Sequence, residues 1–94
     1  MFDKMKQLMD MQKKMQEIKR QLDNTNFDVA SSDGLVKITM NGSQEVKGLT
    51  IQEADKASLE KALMDTYNRA IKRSHELAAQ KMKEVTGLNL PGLS

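Results

Sequence analysis

Between Phe27 and Ile51 apolar side chains alternate with polar ones, whereas on either side of that stretch they return with helical spacing. A period of two belongs to strands and a period near 3.6 to helices. The chain is therefore expected to fold as helix, strands, helix, an α+β order with an antiparallel meander at its centre. Phe27 and Val29 alternate with Asp28 and Ala30, and Ser31 to Gly34 ("SSDG") has turn chemistry. "LVKITM" then sets Val36, Ile38 and Met40 against Lys37 and Thr39. Asn41-Gly42 predicts a two-residue hairpin of type I′, in which both residues take positive φ. In the third strand Val46 is followed by Leu49 and Ile51, so the apolar parity changes across Lys47-Gly48. An uncompensated slip would turn the apolar face over, which predicts a β-bulge at Gly48. With the glycine in a Gly-favoured backbone region there, a bulky β-branched replacement should cost roughly 1–3 kcal/mol.

The first helix is marked by Met1, Leu8, Met15 and Leu22 at every seventh position, with Met11 and Ile18 three residues after Leu8 and Met15. That is an a/d seam from Leu8 to Leu22, broken near its start by Lys4. Asp23-Asn24-Thr25-Asn26 ends it with turn-forming residues. In the second helix Leu59, Leu63, Tyr67, Ala70, Ile71, Leu77, Ala78, Met82 and Val85 form the stripe, Asp55 or Ser58 is the candidate cap, and Gly87 is the stop. The expected layout is one domain over 1–94: helix about 3–22, strands about 26–31, 34–41 and 44–51, helix about 55–86, and a flexible tail 87–94.

With 94 residues, 38% apolar and 3% aromatic, such a domain has a thin core, and a second subunit is a natural way to hide more apolar surface. Isologous pairing is expected to bury the strand face of Val36, Ile38 and Met40, or the sheet edge. No Cys is present, so disulfides and thiolate chemistry are excluded. No apolar run approaches the length of a membrane span and no secretory leader opens the chain, so a cytoplasmic protein is expected.

The net charge is only +2, but it is unevenly spread. Residues 1–22 carry six cations against three acids, residues 23–65 four against eight, and residues 66–94 five against two. Basic ends around an acidic middle point to a polyanion. Arg69, Lys72 and Arg73 form an i, i+3, i+4 cluster on one side of the second helix, with Lys81 and Lys83 further along, while Lys13, Lys14 and Arg20 line the first helix. These eight are the residues expected to meet phosphate. With almost no aromatic residues to stack on bases, duplex is favoured over single strands.

Other chemistries find little support. No phosphate loop or nucleophile motif is present, and the single His75 reads as a solvated helix residue, so neither an enzyme nor a cofactor or metal is expected. Met5, Met9, Met11 and Met15 could ligate Cu(I), but Met9 falls off the seam, and packing against a partner helix suits them better. A membrane-surface helix would have a wider apolar stripe and an aromatic anchor. The rival to DNA binding is a non-catalytic interaction module whose Met-rich helices clasp a partner helix.

A Met/Gln/Lys-rich first helix, then "GLVKITMNG", "VKGLTI" and "YNRAIKRSHELAAQKM", then a Pro/Gly tail, resembles the YbaB/EbfC nucleoid-associated proteins over essentially the whole chain. The most specific pieces are Gly34-Leu35-Val36-Lys37 with Asn41-Gly42, and Asn68 with Ala70. Where the family commonly shows Ile-Asp-Pro, this chain has Ile51-Gln52-Glu53. The resemblance implies a tweezer-like homodimer, joined through the sheets, with projecting helices that bind double-stranded DNA with little sequence preference. It also implies a place in the cytoplasm on the nucleoid, with no enzymatic activity, small-molecule substrate or membrane partner.

Overall fold

The computed structural model describes residues 2–86 and follows the expected order: α1 (Phe2–Asp23), β1 (Asn26–Ala30), β2 (Val36–Asn41), β3 (Val46–Ile51) and α2 (Lys56–Thr86). The expected tail 87–94 lies outside the described residues. The three strands form one antiparallel sheet in the order β1-β2-β3. Both helices have identifiable ends. The Asp55 carboxylate accepts the Ser58 N–H at 3.0 Å and the Ser58 hydroxyl at 2.7 Å, the geometry of an N-cap. Those two bonds from Ser58 hold its carboxyl below the usual carboxylate range.

At the C-terminal end of α1 each of the last four carbonyls finds a donor. Asn24 bonds the Arg20 carbonyl through its backbone and its amide, and the Thr25 hydroxyl bonds that of Gln21 at 2.6 Å. Gly42 N–H takes the Leu22 carbonyl at 3.0 Å, and the Asn41 amide takes that of Asp23 at 3.2 Å. The helix end is thus satisfied partly by the following turn and partly by the distant β2–β3 loop.

The strand register explains the parity shift. Val36 faces Ile51, Ile38 faces Leu49 and Thr39 faces Gly48, but Met40 faces Val46, so Lys47 is the extra residue of a bulge. Directly opposed residues share a face, which puts Val46, Leu49 and Ile51 with Val36, Ile38 and Met40, and across β1 with Phe27 and Val29. The other face is polar, and there the Thr39 hydroxyl donates to Asp28 at 2.5 Å.

The reason expected for Gly48 does not hold. Among the described residues only Gly34 (φ 76°) and Gln44 (φ 67°) are left-handed, and a Cβ on Gly48 would meet Thr39 Cβ at an ordinary 3.5 Å. Gly48→Ala should therefore raise stability by about 0.4–1 kcal/mol through the unfolded chain. A lower melting temperature for that variant would mean the bulge needs glycine after all.

The hairpin also departs from expectation. Asn41 N–H bonds the Glu45 carbonyl at 3.0 Å and Gln44 N–H bonds that of Asn41 at 3.3 Å, with Gln44 as the left-handed residue. This is a three-residue loop, not a type I′ turn, and neither Asn41 nor Gly42 has positive φ. Glycine is required at 42 because the chain touches α1: a Cβ there would lie 2.6 Å from Leu22 Cδ2 and 3.2 Å from Leu22 Cα.

α2 lies across β2 and β1 on a row of small residues four apart, Ala62, Thr66, Ala70 and Ser74, all buried. Short side chains let the helix axis approach the sheet. Val36, Ile38 and Met40 are sealed beneath it, so that strand face is not available to a second copy. The Ser74 hydroxyl donates to the Asn41 carbonyl at 3.1 Å, tying helix, sheet and loop together. Thr66 Oγ1, by contrast, is buried with no partner. Thr66→Val keeps the shape and removes the desolvated hydroxyl, so it should stabilise the fold by about 1 kcal/mol in chemical denaturation.

Candidate nucleic-acid interface

α1 arrives at the Gly42 turn and α2 passes the same turn at Ser74. The two helices pack together, and the molecule is 64 Å long although α2 alone spans about 46 Å at 1.5 Å per residue. The helices therefore run side by side and antiparallel past the sheet, forming an arm. α1 runs about 30 Å outward from Leu22, and α2 about 18 Å outward from Ser74. Only Ile18 and Leu22 of the expected α1 seam are buried; Leu8, Met11 and Met15 are exposed.

The eight expected phosphate residues divide by what already holds them. Arg69 donates from Nε to Asp65 at 3.1 Å and from Nη2 to the Ala30 carbonyl at 2.8 Å, fastening α2 to the end of β1. Arg20 forms a two-point pair with Glu17 at 2.5 and 3.2 Å, which lowers the Glu17 carboxyl and raises the guanidinium from their ordinary values. Arg73 lies 3.8 Å from Glu76, and Lys81 lies 3.6 Å from Glu84. Lys13, Lys14, Lys72 and Lys83 are exposed, and among the described residues none has a carboxylate within 4.0 Å. Exposed ion pairs are weak in water, so Arg20 and Arg73 can trade a carboxylate for another anion. Arg69 cannot leave without releasing β1. Spacing along α2 puts Arg69 beside Lys72 and Arg73; its bond to a carbonyl 39 residues away has no local signal.

A second surface was hidden within the α2 stripe. Leu63 and Tyr67 belong to the expected apolar stripe but are exposed, because the small-residue row 62-66-70-74 faces the sheet. With Met64, Glu60, Ile38, Val46 and Leu49 they line an open, almost wholly apolar cleft of about 470 Å³ between α2 and β3. The i+4 run of Ala, Thr, Ala and Ser was the available clue. β3 is an edge strand, and its Val46, Leu49 and Ile51 are about half exposed on the α2 side of the sheet.

His75 is exposed, and no group of three or more His, Cys, Asp or Glu among the described residues could hold a metal ion. No helix among them is long and apolar enough to cross a membrane.

An uncharacterized protein of Helicobacter pylori has a crystal structure similar to this fold, with a TM-score of 0.69 at 25% identity, covering 86% of this chain and 98% of that one. In sequence, residues 1–89 match the model of the YbaB/EbfC DNA-binding family. The chain belongs to that family. A nucleoid-associated protein of Flavobacterium johnsoniae is 30% identical over 92 residues, covering 95% of this chain and 87% of the relative. Another, from Anaeromyxobacter sp. (strain Fw109-5), is 34% identical over 96 residues, covering 96% and 93%. The two glycine-containing motifs on which the resemblance rested have structural grounds in this chain: Gly34 is a left-handed turn residue, and Gly42 is the contact point with Leu22.

Proposed function

We propose that this chain is a nucleoid-associated protein that binds double-stranded DNA as a homodimer, through the cationic faces of α1 and α2 and without strong sequence preference. The observation that carries the reading is the separation of charge along the molecule. Lys13, Lys14, Lys72 and Lys83, which have no carboxylate within 4.0 Å among the described residues, lie on the helices, while the acids of residues 23–65 gather at the sheet and the first half of α2. Family membership and the names of the relatives point the same way. Such lysines engage phosphates and position the protein; they do not read base edges.

A second copy is the natural cover for the α2–β3 cleft. The β1 edge has its Ala30 carbonyl occupied by Arg69, whereas β3 borders the exposed apolar residues. A closed two-fold contact would bury that cleft and leave both arms projecting. Sedimentation showing a folded monomer at micromolar concentration would remove the dimer from the proposal.

The exposed methionines of α1 favour a second reading, an arm that clasps a partner helix. Titration against duplex DNA at several salt concentrations separates the two. If about 4 to 8 phosphates are engaged per dimer, log K should fall against log[salt] with a slope of roughly −4 to −7. Binding that ignores salt would favour helix clasping.

A further inference from the structure

We infer that the outer part of α1 is a methionine-oxidation site that controls whether the arm is helical. Residues 3–16 are all exposed in the chain, so tertiary packing does little to hold that stretch. An isolated helix of about 12–15 residues is marginal in water, and its stability then depends on the helix preference of its residues. Met5, Met9, Met11 and Met15 are four of the fourteen residues of this stretch, good helix formers, and 48–64% exposed, whereas Met40 in the core is 0% exposed. The chain has no cysteine to compete for an oxidant.

The co-reactant is a peroxide. Its terminal oxygen is transferred to the thioether sulfur: an S–O bond forms, the O–O bond breaks, sulfur gives up two electrons, and hydrogen peroxide leaves as water. The product sulfoxide is polar and chiral, and it replaces a flexible apolar side chain. Four such changes within eleven residues would turn the Leu8–Met11–Met15 groove polar and lower the helicity of the stretch that carries Lys13 and Lys14. The helicity effect stands on the structure alone; its effect on DNA rests on the function proposed above.

The test treats the full chain with hydrogen peroxide, maps sulfoxides by peptide mass spectrometry, and follows far-UV circular dichroism and duplex binding. Met5, Met9, Met11 and Met15 should oxidise well before Met40, with loss of part of the helical signal. The log K against log[salt] slope should become shallower by about 2 to 4, because Lys13 and Lys14 of two chains offer up to four phosphate contacts. A variant with Met5, Met9, Met11 and Met15 all replaced by Leu should keep its helical signal through the same treatment. Unchanged helicity in protein carrying the four sulfoxides would overturn the inference, as would oxidation of Met40 at the same rate. If helicity falls while duplex binding is unaffected, the oxidation site stands and the placement of DNA on α1 is wrong.

Discussion

A Gly42→Ala protein should be less stable than its parent by about 2–4 kcal/mol, the largest single-residue effect expected in the fold. The added Cβ would meet not only the mobile end of Leu22 but also its Cβ at 3.1 Å and its Cα at 3.2 Å. Relief requires moving the α1 backbone, and with it the bonds from Gly42 N–H to the Leu22 and Thr25 carbonyls. Leu22→Ala would remove the closest atom but not the other two, so the double variant should recover only part of the loss. Urea denaturation of the two single variants and the double measures this directly. Equal midpoints for Gly42→Ala and the parent would mean that α1 does not dock on the turn in solution.

Replacing Lys13, Lys14 and Lys83 together by Gln should have the largest effect on DNA. Six cations disappear from the proposed dimer, and if all reach phosphate the salt slope becomes shallower by about 5. The loss should be the same for unrelated duplex sequences, because phosphate contacts carry no base information. Circular dichroism should not change, since none of the three side chains is buried or ion-paired among the described residues. Arg69→Gln makes the useful contrast: it releases the Ala30 carbonyl and should lower the melting temperature before it lowers affinity. A triple variant that keeps the parent's slope would place DNA elsewhere on the molecule.

What was legible in the chain was whatever has a period. Seven-residue and four-residue spacing located both helices, two-residue spacing located the strands, and the break in parity at Lys47-Gly48 located the bulge. What was not legible depends on residues far apart in sequence. Asn41-Gly42 looks like a local turn signal, yet the need for glycine comes from Leu22, twenty positions earlier. Arg69 looks like one of a basic cluster, yet its guanidinium reaches across to β1. Leu63 and Tyr67 follow the apolar stripe, yet small residues beside them seat the helix more closely, and packing overrode hydrophobicity. Of the eight cations, spacing gave the helix faces but could not tell which were already engaged.

α2 has no break between the part that covers the sheet and the part that lies in the arm, and this makes it a lever. Its pivot is Ser74, where the hydroxyl grips the Asn41 carbonyl. About 27 Å of helix lies on the sheet side of that point and about 18 Å on the other. A rigid tilt of about 5° at the pivot would shift Lys56 by about 2.4 Å and swing Thr86 the opposite way by about 1.6 Å. Ala62, Thr66 and Ala70 put no long side chain in the path of such a rocking motion, and the bond from Arg69 to the Ala30 carbonyl is the tie that would limit it. Pressure on the cleft lined by Leu63, Met64 and Tyr67 that tilted α2 in this way would also move Lys83, far along the same rod.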